Sequence, residues 1–220
     1  MRTALIVFLV AILLCSCSDN SGGNALVRLS LEIPDAPQAK ILADSQEIKS
    51  DYSIALHVRA DAADMTAAVE AEAVVTQDEI FDGSVELEME VPAGSARSFE
   101  GLLFTDDLRA YASQSPAVLD LKEGASVDLE LTLKRLDAGS ITVKLPQTAV
   151  ETFYLTLEEE TSSLRMPAVL CNSGKCVFSA APLGLRLTPI LLNPDGSETR
   201  LETLELSPAA PEAEINAAIK

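Results

Sequence analysis

Residues 85–91 read Val-Glu-Leu-Glu-Met-Glu-Val, with an apolar side chain at every odd position and a glutamate at every even one. This period of two is typical of a β-strand with one buried face and one wet face. The same alternation occurs at residues 29–33, 54–58, 127–133 and 141–145. Turn signals separate these runs at Asp82-Gly83, Pro92-Ala93-Gly94, Glu123-Gly124, Ala138-Gly139 and Asn193-Pro194-Asp195-Gly196. The pattern predicts an all-β protein built of antiparallel sandwiches.

One segment leaves two interpretations open. Residues Ala62–Val75 are rich in Ala and Glu and have the propensity of a helix. Within them, however, Val69, Ala71, Ala73 and Val75 alternate with polar positions. Because the neighbouring segments are strands and a sheet overrides weak local propensity, we favour a strand.

Composition excludes several classes of function. The chain has 220 residues with 34 acidic and 16 basic side chains, a formal charge of −18. Binding to nucleic acid requires an excess of Lys and Arg, so it is disfavoured. A hydrophobic content of 48% argues against disorder over most of the chain. There is one His and no Trp, which leaves few of the usual catalytic and metal-binding groups.

The first residues have the pattern of a targeting signal. Arg2 precedes an uninterrupted apolar run from Ala4 to Leu14, which is too short to span a bilayer and the right length for the core of a signal peptide. The run continues into Leu14-Cys15-Ser16-Cys17. This segment resembles the lipobox of bacterial lipoproteins, Leu-x-(Ala/Gly/Ser)-Cys. In that register Cys17 is the lipidated residue, because Cys15 would place bulky Leu14 before the cleavage point.

The resemblance implies residues 1–16 as a cleaved signal peptide and a mature chain of 17–220, acylated at Cys17 and held in the membrane by its lipid chains. Ser18 in the place where Asp often retains such proteins in the inner membrane favours the outer membrane. Residues 17–24 then form the lipidated Cys and a flexible tether. The alternative is a soluble secreted protein cleaved near Ser16 or Ser18.

Two sandwich domains are predicted, at residues 25–136 and 137–220. A weak internal echo links Gly83-Ser84-Val85 with Gly139-Ser140-Ile141. The first domain resembles bacterial Ig-like modules over Val91–Phe99 and Leu119–Val127. The second resembles carboxypeptidase-regulatory-like or transthyretin-like sandwiches over Phe178–Gly196, although Leu185 stands where that family has an aromatic residue.

Two cysteines remain after cleavage and lipidation, Cys171 and Cys176. The tetrapeptide between them, Asn172-Ser173-Gly174-Lys175, is turn-forming and is flanked by strand-like residues. We therefore predict a hairpin clamped by a disulfide in an oxidising compartment. A presented binding loop at its tip is left open, since no local residue indicates one. A redox pair normally has the spacing Cys-x-x-Cys, and a zinc site requires about four ligands.

The sequence provides no catalytic residues that we can assign. His57 falls between Leu56 and Val58 on an alternating strand, so it is expected to face solvent or a sheet margin, and no Gly-x-Ser-x-Gly motif is present. Neighbouring acids such as Asp106-Asp107 and Glu158-Glu159-Glu160 are expected on loops and wet faces in so acidic a chain.

The calcium candidates are Asn193–Gly196, Asp61 with Asp64, and Asp78 with Asp82, all unspecific. We predict no cofactor and no metal.

The sequence thus predicts a non-enzymatic, membrane-anchored envelope lipoprotein that acts as a scaffold or protein-interaction module. The alternatives are a surface adhesion or pilus-accessory subunit, and a calcium-dependent glycan-binding or enzyme-accessory module. The expected partners are the membrane, through the N-terminal lipid, and an envelope or surface protein.

Overall fold

The computed structural model of the protein describes residues 23–33, 54–75, 84–105, 108–146 and 152–217. In these ranges the chain forms strands, turns and irregular segments, with no helix, so the all-β prediction is confirmed. Consequently, no helix capable of crossing a membrane is found in these ranges.

The described residues form sixteen strands. The first half of the chain contains β1 (Asn24–Glu32), β2 (Ile54–Asp61), β3 (Val69–Val75), β4 (Ser84–Pro92), β5 (Gly94–Phe104), β6 (Ala110–Ser113), β7 (Ala117–Leu121) and β8 (Ser126–Arg135). The second half contains β9 (Ala138–Lys144), β10 (Tyr154–Glu159), β11 (Val169–Leu170), β12 (Lys175–Pro182), β13 (Arg186–Leu192), β14 (Glu198–Arg200), β15 (Leu204–Glu205) and β16 (Glu212–Asn216).

In the first half, β1 lies between an antiparallel partner, β4, and a parallel partner, β8. The opposing layer has β3 and β5 on either side of β2, while β6 and β7 pair with different parts of β5. Alternation explains how the layers meet. Val27, Leu29 and Leu31 of β1 are buried together with Leu56 and Phe99 of the other layer. Strand β8 also pairs with β6, which joins both layers into one hydrogen-bonded sheet.

The second half repeats these pairings strand for strand. Strand β9 lies between antiparallel β12 and parallel β16, as β1 lies between β4 and β8. In the other layer β10 pairs with β11 and β13, and β13 pairs with β14 and β15 at different points. The pairing of β6 with β8 has no counterpart among the described strands of the second half. Each half is therefore closed by its last strand, which lies parallel to its first.

This repeat does not follow the echo seen in the sequence. The echo aligns Ser84-Val85 of β4 with Ser140-Ile141 of β9, but β4 is an outer strand of its sheet and β9 is a central one. The structural counterpart of β9 is β1. Gly83, the first residue of the echo, lies outside the described residues.

The predictions for two local segments had different outcomes. The segment Ala62–Val75 is a strand from Val69 onward, as favoured, and residues 62–68 form turns and bends. The turn predicted at Ala138-Gly139 is wrong, because both residues belong to β9. Gly139 is needed there for close packing: a Cβ atom would lie 2.0 Å from the carbonyl oxygen of Pro211, which accepts a hydrogen bond from the amide of Ser140 at 2.8 Å.

The two halves share buried residues. Leu102, Phe104 and Ala110, from the first half, belong to the cluster that forms the core of the second half, with Ile141 and Phe178 among its members. Two residues, Leu136 and Asp137, connect β8 to β9. The amide of Leu136 donates to Ala110 O at 2.8 Å, and the amide of Leu183 donates to Asp137 O at 2.8 Å. The two-residue connection is thus hydrogen-bonded to both halves of the molecule.

A buried arginine fixes the turn between β4 and β5. The side chain of Arg97 is 3% exposed, donates to Pro92 O at 2.8 Å and Ala93 O at 2.7 Å, and pairs with Asp64. Gly94, at φ +152°, leaves the space that the guanidinium occupies: a Cβ atom on it would lie 2.0 Å from Arg97 Nη2. The sequence Pro92-Ala93-Gly94 followed by Arg97 therefore encodes a turn closed by its own side chain.

This arrangement predicts that Gly94→Ala destabilises the protein by about 2–3 kcal/mol, because the added methyl group displaces Arg97 from its buried acceptors. Gly124→Ala is the matched control. Gly124 also has a positive φ, +69°, but nothing lies within 4 Å of its Cβ position, so its cost is limited to backbone strain of about 1 kcal/mol. Urea unfolding of the two variants measures the difference, and equal losses would contradict the role given to Arg97.

Candidate interaction surface

An exposed apolar row crosses the outer face of the sheet formed by β10, β11 and β13. Among the described residues the large hydrophobic side chains that remain exposed are Val118, Tyr154, Leu170 and Val177. Two of these face each other: Tyr154, 44% exposed, pairs with Leu170, 49% exposed. On its other side Tyr154 pairs with Leu192, which is partly exposed. We call Leu170, Tyr154 and Leu192 the apolar row. Clustered exposed apolar side chains mark contact surfaces more often than scattered ones do.

An ionic cluster lies on the same face, further along the strands. Glu158 of β10 accepts hydrogen bonds from Arg165 Nε at 2.8 Å and Arg200 Nη2 at 2.5 Å. Arg165 also donates from Nη1 and Nη2 to both carboxylate oxygens of Glu198, at 2.6 and 3.0 Å. The cluster contains two arginines and two glutamates, so its charges cancel. It connects the segment after β10 to β14 across the sheet.

The ionic cluster shifts its members' titration in the expected directions. Hydrogen bonds from Arg200 and then Arg165, opposed by burial, hold the pKa of Glu158 below its usual value. The hydrogen bonds from Arg165 lower the pKa of Glu198. Conversely, the carboxylates raise the pKa of the Arg165 guanidinium. All four groups therefore stay charged near neutral pH.

The expectation that Glu158, Glu159 and Glu160 lie on wet faces is wrong for the first two, which are 8% and 6% exposed. The negative charge of Glu158 is balanced by Arg165 and Arg200 of the ionic cluster. Glu159 caps the turn that follows β10, accepting hydrogen bonds from the amide and hydroxyl of Ser162 at 2.6 and 2.7 Å. Asp106 and Asp107 lie outside the described residues.

The predicted disulfide between Cys171 and Cys176 is confirmed. Between them, Asn172 and Lys175 pair with each other and close the two-residue loop Ser173-Gly174, with hydrogen bonds of 2.8 and 3.1 Å. The flanking strands do not continue as a hairpin, because β11 joins the layer of β10 and β12 joins the layer of β9. The disulfide therefore spans the point where the chain passes from one layer to the other. Leu170 of the apolar row directly precedes Cys171, so its position is fixed by this bond.

The expectation that His57 faces solvent or a sheet margin is wrong. His57 is 3% exposed, and Nε2 lies 3.6 Å from Glu70 Oε2 without a hydrogen-bond partner in the described part of the chain. Its cross-strand neighbour Leu102 belongs to the core of the second half, which explains the burial. No hydroxyl or thiol nucleophile hydrogen-bonds to His57 within the described ranges.

The calcium candidates are engaged with donors from the chain itself. Asp195 accepts hydrogen bonds from the amide and hydroxyl of Ser197 at 2.9 and 2.6 Å, within the β13–β14 hairpin. Asp61 accepts from Arg59 and from the amide of Ala62, and Asp64 pairs with Arg97. Asp78 and Asp82 lie outside the described residues. In the described ranges, no group of three or more His, Cys, Asp or Glu is arranged to hold a metal ion.

Cys17, the predicted lipidation site, lies outside the described residues. The apolar row was missed at the level of sequence, although a signal was present. Leu155 and Leu157 alternate with Tyr154, Thr156 and Glu158, which places Tyr154 on the face opposite the core. The other aromatic residues in the described ranges, Phe99, Phe104, Tyr111, Phe153 and Phe178, are all buried.

No family model matches the chain, and no curated protein matches it. Three of the similar solved structures are bacterial proteins with 11–13% sequence identity. A leucine-rich repeat protein from Bacteroides thetaiotaomicron has a TM-score of 0.29, the match covering 90% of this chain and 26% of that one. A candidate adhesin from Bacteroides ovatus has a TM-score of 0.33, with 93% and 98% covered. The shaft pilin SpaA from Lactobacillus rhamnosus GG has a TM-score of 0.26, with 88% and 96% covered.

The ionic cluster predicts a specific pH dependence for Glu158→Gln. The folded-state pKa of Glu158 is lowered from 4.5, so its stabilising contribution is present above about pH 4.5 and is lost as pH falls through the folded-state value. We expect the variant to be less stable by about 1–2 kcal/mol at pH 7, because it loses the charge-assisted hydrogen bonds to Glu158. The loss is no larger because Arg165 and Arg200 are partly exposed, so water hydrates their guanidinium groups in the variant. Urea unfolding at pH 7 and pH 3 should show the gap closing at low pH. A gap independent of pH would contradict this assignment.

The disulfide predicts that Cys171→Ser with Cys176→Ser lowers stability by about 2 kcal/mol, the chain-entropy value for so short a loop. Reductant should lower the melting temperature of the native protein and leave that of the double variant unchanged. A melting temperature of the native protein that is insensitive to full reduction would contradict a stabilising role.

Proposed function

We propose that this protein is an outer-membrane lipoprotein that acts in surface adhesion, binding a protein partner through the apolar row. The observation that carries the proposal is the pairing of exposed Tyr154 with exposed Leu170 on a face fixed by the adjacent disulfide. Tyrosine is favoured at protein interfaces because it buries a large apolar area while its hydroxyl stays hydrated or hydrogen-bonded.

Local charge supports a folded protein with an apolar patch as the partner. The chain as a whole carries −18, yet the ionic cluster beside the apolar row has a net charge of zero. An apolar surface can approach this face without meeting uncompensated charge, while nucleic acid is repelled by the chain as a whole. The partner is therefore expected to contribute apolar side chains, and binding should depend weakly on salt.

The anchor is proposed from the sequence and the disulfide together. A disulfide is typical of the periplasm or the cell surface, in agreement with the lipobox ending at Cys17. Lipid on Cys17 would hold the molecule at the membrane while the second half carries the contact face. This function requires no catalysis, and we propose that the protein has no enzymatic activity.

A scaffold inside the periplasm is the second candidate. It would use the same lipid anchor and the same apolar row. The folded chain would face the periplasm instead of the cell exterior. Protease treatment of intact and lysed cells distinguishes the two, because a surface adhesin is cleaved in both and a periplasmic scaffold only after lysis.

The anchor predicts that Cys17→Ala moves the protein from the membrane fraction to the soluble fraction and abolishes incorporation of labelled palmitate. Cys15→Ala is the matched control and should leave both properties unchanged. Continued membrane association of the unlabelled Cys17→Ala protein would show that the anchor has been misplaced.

Binding through the apolar row predicts the outcome of photo-crosslinking in intact cells. A photo-reactive side chain at Leu170 should crosslink to a discrete protein, whereas one at Val118, which is 62% exposed in the first half, should not. Adding Tyr154→Glu should remove the crosslink from Leu170, and adding Val177→Glu should not. A crosslink at Leu170 that survives Tyr154→Glu, or equal crosslinking from both sites, would refute the apolar row as the binding face.

A further inference from the structure

A small cleft lies where the two halves of the molecule meet. Its walls include Leu108 and Arg109 from the first half, Arg135, Leu136 and Ala138 around the connection, and Pro182 at the end of β12. The walls are held in place by hydrogen bonds of the connection, from Leu136 to Ala110 and from Leu183 to Asp137. The cleft is thus a fixed feature of the junction and is separate from the apolar row.

Arg135 differs from most other arginines of the described chain. The arginines within 4 Å of a carboxylate that also belongs to the described ranges are Arg28, Arg59, Arg97, Arg165, Arg186 and Arg200. Arg135 has no carboxylate at that distance in the described ranges, although the chain has 34 acidic residues against 16 basic ones. Because Arg135 pairs with no acid among the described residues of so acidic a chain, its guanidinium donors are available to a ligand.

The position of Arg135 follows from the strand. Leu131 and Leu133 of β8 point into the core of the first half, and Arg135 continues the same alternation at the end of the strand, opposite Tyr111 of β6. It is therefore at the end of the first core, where the second half begins. Arg109, which precedes β6, lines the same cleft.

The size of the cleft limits what it can hold. Its volume is about 90 Å³, whereas pockets for cofactors and drug-sized molecules are typically 300–1,000 Å³. A few water molecules fit in this space, and so does a carboxylate with one or two methylene groups. Apart from Arg109 and Arg135 the wall residues are apolar, which suits the methylene part, while a guanidinium provides two parallel donors that match a carboxylate.

We propose that this cleft is a carboxylate-binding site in which Arg135 is the principal ligand. The carboxylate belongs either to a small free acid or to a polypeptide, as a chain terminus or an acidic side chain. Because both halves contribute walls, a bound carboxylate bridges the halves and stabilises their junction. This proposal does not depend on the adhesion function or on the apolar row.

The test uses the full-length protein in non-ionic detergent, with acetate and its neutral isostere acetamide as probes. Acetate is expected to bind with a Kd in the range of about 1–10 mM, as suits one small charged group, and to raise the melting temperature by mass action. Acetamide should do neither. Calorimetry and thermal unfolding at constant ionic strength, set with chloride, separate binding from screening.

Arg135→Gln should weaken acetate binding at least about tenfold, and Arg135→Lys should give an intermediate affinity because it keeps the charge and loses the paired donors. Arg186→Gln is the control, since Arg186 is exposed and already pairs with Glu160 at 2.8 Å. It should bind acetate as the native protein does. Arg135 is exposed, so circular dichroism should show that each variant is folded.

A second arm identifies the source of the carboxylate. Short peptides with a free C-terminus, an amidated C-terminus, or an amidated C-terminus and an internal Glu are compared with acetate. Tighter binding of one carboxylate-bearing peptide assigns the site to a chain terminus or a side chain, and binding no tighter than acetate assigns it to a free acid. Absence of acetate binding to the native protein, or equal binding by Arg135→Gln, would overturn the proposal.

Discussion

The packing of Leu102, Phe104 and Ala110 into the core of the second half is the contact on which the arrangement of the molecule depends. These residues occupy the outer face of their own sheet, where a free-standing sandwich would carry polar side chains. Covering this face buries His57 and creates the cleft around Arg135. Without that contact, only the two-residue connection and the partly buried Leu108 and Ala112, which pack against the second core, would join the halves.

Within each half the decisive constraint is the pairing of the first strand with the last. Strand β1 lies parallel to β8 and β9 lies parallel to β16, so each first strand is central in its layer. A central strand has both edges paired, which fixes its register along its whole length. The other layer of each half then contributes the opposing apolar faces, and in the second half its outer surface carries the apolar row and the ionic cluster.

Many of the strands could be predicted from alternation alone, because a strand with one buried face and one wet face has apolar and polar residues at alternate positions. The runs around Leu29, Leu87 and Leu131 fall in β1, β4 and β8, as expected. Alternation fails where other residues cover the polar face. The core of the second half covers His57, and the side chains of Arg165 and Arg200 cover Glu158. A glycine is also ambiguous, because it serves both turns and close packing. Gly139 resembles a turn signal but lies in β9, where the absence of a side chain permits Pro211 to approach the strand.

The candidate sites were predictable only in part. The spacing of Cys171 and Cys176 around a turn-forming tetrapeptide was sufficient to predict their disulfide. Arg135 and the apolar row depend on tertiary contacts between strands far apart in sequence, and no local pattern shows that Arg135 pairs with no acid in the described part of the chain. For the apolar row, alternation places Tyr154 on the wet face, but Leu170 and Leu192 become its neighbours only through the order of strands.

The shared core is tested most directly by hydrogen exchange of the Phe104→Ala variant, compared with Phe99→Ala. Both phenylalanines belong to β5 and are buried, at 2% and 0% exposure, but Phe99 belongs to the core of the first half and Phe104 to that of the second. We predict that Phe104→Ala accelerates amide exchange in β9 and β13 more than Phe99→Ala does. Faster exchange confined to the first half in the Phe104→Ala variant would contradict a core shared by the two halves.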